Sequence, residues 1–173
     1  MKWFVLGIIV TLVVLAAASY IYLEQGFVSA RADVKPGMMD SWLGSAMDAS
    51  TERHAPKLTN PAPDTQDTLL AGAKTYASLC AGCHGSPADH DSKFGKAFYP
   101  PAPQFFGDDP PDMKENENFY IIKHGVRMTA MPAWTELLSD QQIWQTVALL
   151  KHVDQKNVPA TVQQQLNAAK PGQ

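Results

Sequence analysis

Thiols are nearly absent from this chain: Cys80 and Cys83 are its only two cysteines. A structural zinc site needs four ligands, and no second Cys/His pair stands at finger spacing to complete one. Strand–helix alternation is also missing around the pair, which argues against a thioredoxin-like redox motif, since that motif belongs to a βαβ setting. Basic charge is in short supply as well. Fourteen Lys and Arg face 17 Asp and Glu, for a net charge of −3, and no basic stripe appears. A nucleic-acid partner is therefore not expected. Long apolar runs are missing too, except for one at the start of the chain.

What is present is concentrated in a few short strings. Cys80-Ala81-Gly82-Cys83-His84 has the form C-x-x-C-H, the attachment signature of a c-type haem. Its spacing has a chemical reason. Two thiols one helical turn apart can each add to a vinyl group on the same porphyrin edge. The histidine that follows is then carried under the ring as an axial iron ligand. One such motif predicts one covalent haem c, which would use both thiols.

A second string, Gly125-Val126-Arg127-Met128-Thr129-Ala130-Met131-Pro132-Ala133-Trp134, offers the other axial ligand. A thioether is a soft, neutral ligand that favours ferrous iron. Pro132 fixes the backbone after Met131 and keeps Met131 out of a helix, so Met131 is the expected ligand and Met128 its rival. His54, His90, His124 and His152 are read as solvated or structural.

Cys80–Gly85, the Pro100–Pro103 stretch, His124-Gly125 and Thr129–Trp134 together resemble a class I cytochrome c. The likeness spans roughly Thr65 to Val153 and is greatest to single-haem cytochrome subunits of bacterial terminal oxidases and quinol-oxidising complexes. It implies an all-α class I cytochrome c domain following one N-terminal transmembrane helix. Cys80, Cys83, His84 and Met131 would bind the haem, with His84 and Met131 on the iron. The implied function is one-electron transfer, as a tethered carrier or a subunit, to redox partners in a membrane respiratory or dehydrogenase complex. No catalytic residue is expected. The alternative is a haem enzyme, such as a peroxidase with a labile methionine, but no distal acid–base pair is visible for it.

Four segments are expected. Residues 1–24 form an anchor: Trp3–Leu23 is apolar apart from Gly7, Thr11 and Ser19, and at about 1.5 Å per residue it can cross a hydrocarbon core about 30 Å thick. The run exceeds the usual signal-peptide core of about 7–15 residues, so it is read as uncleaved. Lys2 keeps the short side cytoplasmic. The haem domain then faces the periplasm from a bacterial inner membrane, where the resemblance also places haem attachment. Residues 25–64 read as a linker carrying an amphipathic helix at Met38–Thr51, which could lie on the membrane surface, dock a partner subunit or fold back on the haem domain, with Lys57–Asp64 extended.

Residues 65–158 are the haem domain. Asp67 or Thr68 should cap a helix running to Cys80, and Ser139–Gln142 is a capping box for a helix through His152. The resemblance implies that these two helices cross tightly, an approach that Gly72 would permit, with Trp144 against Tyr76 or Gly72. Asn118–Lys123 reads as a short helix ended by Gly125. Between the motifs, Ser86–Pro111 is expected to wrap the haem, with Phe94, Phe98, Tyr99, Phe105 and Phe106 as its walls. Residues 159–173 read as a tail, with a turn or two of amphipathic helix at Thr161–Lys170.

Overall fold

The computed structural model describes residues 1–168; Ala169 and Lys170, the end of the expected tail helix, lie outside them. Two compact units divide the chain, the first Met1–Val34 and the second beginning at Lys35. The described residues form helices and connecting turns, with no strand among them.

The first unit is one helix, α1 (Lys2–Glu24), exposed along its whole length. With 23 residues it extends about 35 Å, and it is long and apolar enough to cross a membrane. Thr11, its one interior hydroxyl besides Ser19, returns its proton to the Gly7 carbonyl at 2.9 Å. Gln25 and Gly26 close the helix on the Ile21 and Leu23 carbonyls.

The second unit holds α2 (Met38–His54), α3 (Gln66–Leu79), α4 (Ala81–His84), α5 (Lys93–Lys96), α6 (Glu115–His124), α7 (Asp140–Asp154) and α8 (Ala160–Asn167). Its core is built by α3 and α7, with α6 and α8 packed on them. Leu69, Ala73 and Tyr76 of α3 meet Ile143, Val147 and Leu150 of α7, all buried. Burying each large apolar side chain contributes about 1.5–3 kcal/mol. Gly72 is what lets the helices approach: a Cβ there would overlap the backbone carbonyl of Gln145. The close crossing anticipated at Gly72 is present.

Capping follows the local chemistry. Ser139 accepts from the Gln142 N–H at 3.3 Å while Gln142 Oε1 accepts from the Ser139 N–H at 3.0 Å, the reciprocal pair that opens α7. The cap of α3 is Thr65, whose hydroxyl accepts from the Thr68 N–H, rather than Asp67 or Thr68. Helix α6 begins at Glu115, earlier than the expected Asn118. Glu117 accepts from the Lys114 N–H at 3.3 Å and from its ammonium at 2.9 Å, which secures the extra turn. Trp144 stacks on Phe119 at 4.1 Å, joining α6 to α7, instead of reaching Tyr76 or Gly72.

Two stretches are tied down more firmly than their composition suggests. In the segment before α3, Asn60 donates to the Trp144 carbonyl at 3.1 Å, and Asp64 meets His152 Nε2 at 2.8 Å. At the other end, α8 buries Val162 and Leu166 against α3, and Gln66 donates to Thr161 at 3.0 Å. The tail read from sequence thus contains a helix docked on the core. Helix α2 rests lightly on α6, with Lys114 bridging Glu52 at 3.6 Å.

Replacing Gly72 with Val should destabilise the second unit by about 3 kcal/mol, because the obstacle is backbone and cannot swing aside. Gly44→Ala, at a helical position with open space around it, should instead stabilise it by about 0.5–1 kcal/mol. Urea denaturation followed by far-ultraviolet circular dichroism measures both; equal effects would mean that the crossing is not tight.

Candidate functional site

Helix α3 ends at Leu79, and Cys80 is both its C-cap and the N-cap of α4. The Cys83 and His84 N–H groups both bond the Cys80 carbonyl, at 3.1 and 2.9 Å. Cys80, Cys83 and His84 therefore share a single helical turn, as the C-x-x-C-H reading requires. Gly85 stops it with φ +78°, a left-handed value that glycine adopts without strain.

So short a helix leaves its last carbonyls without helical partners, and here each one finds another. Ala81 O accepts from the Gly85 N–H at 3.0 Å, Gly82 O from the Ser92 hydroxyl at 2.6 Å, and Cys83 O from the Gln104 amide at 3.0 Å. His84 O accepts from the Phe105 N–H at 3.1 Å, and Gly85 O from the Tyr76 hydroxyl at 2.9 Å. Gln104 also accepts from the Ser92 N–H at 2.7 Å, so one buried amide clamps α4 to the loop that follows. A Cβ at Gly95 would overlap the Cys83 carbonyl, which brings α5 tight against the same turn. Ser92, Gln104 and Tyr76 escaped the sequence reading as site residues, because their partners lie 9 to 12 or more positions away and no local pattern announces such bonds.

His84 is oriented by its own bond. Its Nδ1 lies 2.9 Å from the Pro103 carbonyl, an acceptor only, so Nδ1 carries the proton and Nε2 keeps its lone pair. Burial pulls the imidazole pKa down, opposed by the Pro103 bond; the ring is thus held neutral, the form that ligates metals. Burial, with Cys83 adding to it, pushes the Cys80 thiol up to about 12. A redox-active C-x-x-C needs a depressed thiol pKa, so this pair is not poised as a dithiol redox centre.

The second string is held by the end of α6. Gly125 closes that helix at φ +68°. A Cβ there would come within 2.6 Å of Pro132 C and Ala133 N and 2.8 Å of Met131 O, so the Met131–Ala133 backbone lies directly on it. The Val126 N–H donates to Met131 O at 3.1 Å, and the Met131 N–H to the Thr129 hydroxyl at 3.0 Å. Trp134 and Thr135 N–H groups take the last-turn carbonyls of Ile122 and Lys123 at 3.3 and 3.2 Å. Met131 is half-buried against the core, whereas Met128 is 70 % exposed with φ +60°.

The expected aromatic walls divide. Phe105 stacks on His84 at 4.5 Å, and Phe106 meets the Tyr76 edge at 5.8 Å. Phe94, in the short helix α5, is exposed and meets the Phe98 ring edge-on at 4.8 Å. The remaining histidines are engaged elsewhere: His54 with Ser50 O, His90 with Pro87 O, His152 with Asp64, and His124 beside the Tyr120 ring. Lys123 is bound to Asp140 at 2.7 Å, leaving Arg127 as the exposed cation near the Met131 loop.

Among the described residues, no three His, Cys, Asp or Glu side chains converge as a metal cage. A haem fits the donor set better. One turn presents two thiols and a neutral imidazole, and a half-buried thioether stands on a braced loop. Trp134 Nε1 is buried without a partner, a spare donor suited to a carboxylate.

Residues 67–150 match the family described as cytochrome C oxidase, cbb3-type, subunit III. No curated protein and no solved structure matches the chain significantly. A cytochrome c domain implies haem c and supports haem-based electron transfer. Residues 67–150 are thus a cytochrome c domain, and with the candidate transmembrane helix α1 ahead of it the chain has the build of a membrane-anchored cytochrome c.

Proposed function

We propose that the chain carries one haem c, bound covalently through Cys80 and Cys83 and ligated by His84 Nε2 and the Met131 sulfur, and that it transfers single electrons. The observation that carries this reading is His84. Its Nδ1 proton is committed to Pro103, so Nε2 is the free ring nitrogen on the turn that also presents both thiols. When bound, haem supplies a reversible Fe(III)/Fe(II) couple.

The chain's own residues set the conditions for that couple. The Pro103 carbonyl fixes the His84 tautomer and raises its basicity as a ligand. Gly125 and Thr129 hold the Met131 backbone, so the thioether would be offered from a fixed main chain and only side-chain freedom would be lost on ligation. Phe105, Phe106 and Tyr76 exclude water on the C-x-x-C-H side, which disfavours the more highly charged iron state. The Trp134 indole N–H, buried without a partner, would be available to a porphyrin carboxylate, which would satisfy that donor. With His84 and Met131 both on the iron, no position would be left for dioxygen or peroxide, and no observation favours the peroxidase reading.

Helix α1 acts as an uncleaved anchor in a bacterial inner membrane, with the haem domain on the periplasmic side. Its partners there are redox proteins of a membrane respiratory or dehydrogenase complex. The family description, which names a terminal-oxidase subunit, supports that assignment.

A denaturing gel stained for haem peroxidase activity, with the intact mass, should show one haem per chain. Cys80→Ser with Cys83→Ser should leave a colourless band, and a wild-type band that is equally colourless in cells maturing other c-type cytochromes would refute covalent attachment.

Met131→Ala should abolish the weak near-infrared sulfur-to-iron band of the oxidised protein and lower its reduction potential, while Met128→Ala keeps both. Gly125→Ala, with Met131 intact, should weaken the same band, because the new methyl group presses on Met131 O and Pro132 C. Loss of the band in Met128→Ala alone would move the ligand to Met128.

A further inference from the structure

The first turn of α2 turns its apolar side chains outward. Met38, Met39 and Trp42 are 91 %, 75 % and 70 % exposed, while Leu43 and Met47, on another side of the helix, are half-buried where α2 rests on the domain. At 3.6 residues per turn, Met38, Trp42, Ala46 and Arg53 share a stripe, with Met39 at its border. Two of the helix's three carboxylates are engaged, Asp40 accepting from the Gly37 N–H at 2.7 Å and Glu52 pairing with Lys114, while the exposed Asp48 lies outside the stripe. Single exposed apolar residues need no explanation, but a tryptophan and two methionines in one turn form a contiguous patch, which marks an interaction site.

What covers the patch follows from how the chain reaches it. Thirteen residues, Gln25–Gly37, separate α1 from α2, so Met38 can stand at most about 45 Å from the end of α1. That tether is itself apolar at intervals: Phe27, Val28 and Val34 are exposed. Apolar side chains therefore continue from the helix end to the first turn of α2, interleaved with Lys35 and with the Arg31–Asp33 ion pair at 2.7 Å. Tryptophan is most stable at headgroup depth, with its ring in the apolar boundary and its N–H in the wet layer. The stripe ends in the exposed, cationic Arg53, which complements lipid phosphates, and it carries no carboxylate to repel them.

We propose that Met38, Met39 and Trp42 insert into the interfacial layer of the phospholipid bilayer that α1 crosses, so that α2 is a second, monotopic membrane contact. This rests on reading α1 as a membrane anchor. The second unit then stays at the lipid surface and meets its redox partners by lateral diffusion, with the tether serving as a short link between two membrane contacts.

Photolabelling separates the two readings. The full-length, haem-loaded chain is reconstituted into phosphatidylcholine and phosphatidylglycerol vesicles that contain a phospholipid bearing a diazirine near the glycerol. It is then illuminated, digested and sequenced by mass spectrometry. Adducts are expected in Lys2–Glu24 and again across Val34–Ser45, but not around Phe94, which is comparably exposed at 64 %. Met39→Ser with Trp42→Ser should lower adducts in Val34–Ser45 by about tenfold, the equivalent of about 1.4 kcal/mol, without changing those in α1 or the haem spectrum. Labelled α1 with unlabelled α2 would overturn the proposal while sparing the anchor. Labelling of neither would overturn both. Equal labelling at Phe94, or crosslinks from α2 to another protein or a second copy in place of lipid, would also overturn it.

Discussion

Backbone meets backbone where Gly72 of α3 lies against Gln145 of α7, and the placement of both functional strings depends on that crossing. Helix α3 runs from it to Cys80, delivering the C-x-x-C-H turn at its end. Helix α7 begins at the Ser139 capping box, just past the loop that carries Met131. A bulkier residue at the crossing would separate the elements from which the two strings project. The stacked Phe119 and Trp144 rings then hold α6 on the same helix, and α6 supplies the last-turn carbonyls that brace Trp134 and Thr135.

Rigidity at the site comes from hydrogen-bond accounting more than from helix length. Helix α4 has four residues and would be unstable alone. Every carbonyl from Ala81 to Gly85 nevertheless has a donor, drawn from α3, from the Ser92 turn and from Gln104 and Phe105. The Met131 loop is similar in kind: Thr129 both donates to Val126 O and accepts from the Met131 N–H. Under the proposed function, such bracing would limit how far His84 and Met131 shift when the iron changes charge. The same burial that keeps His84 neutral raises the Cys80 thiol, separating this C-x-x-C from the thiol-exchange class.

The features legible in the sequence are those whose cause is local. C-x-x-C-H states its chemistry in five residues, the Ser139–Gln142 box closes on itself within one turn, and Pro132 stiffens its own neighbourhood. Gly72 was readable because the class I cytochrome c resemblance implies a tight helix crossing, and glycine is the residue that permits one. Other features depend on contacts far along the chain. Thr65 wins the α3 cap over Asp67 because the chain arrives there extended. Val162 and Leu166 look like a polar tail until α3 is present to bury them. Gln104, flanked by proline and phenylalanine, shows no sign in its surroundings that it will clamp Cys83.

Iron K-edge X-ray absorption on the wild-type, haem-loaded protein tests the closed His/Met site most directly, because it counts the iron's neighbours without altering any residue. A six-coordinate iron with five nitrogen neighbours and one sulfur, the same in the ferric and ferrous states, is the predicted result. A five-coordinate iron, or six light neighbours with no sulfur, would contradict it and reopen the enzyme reading.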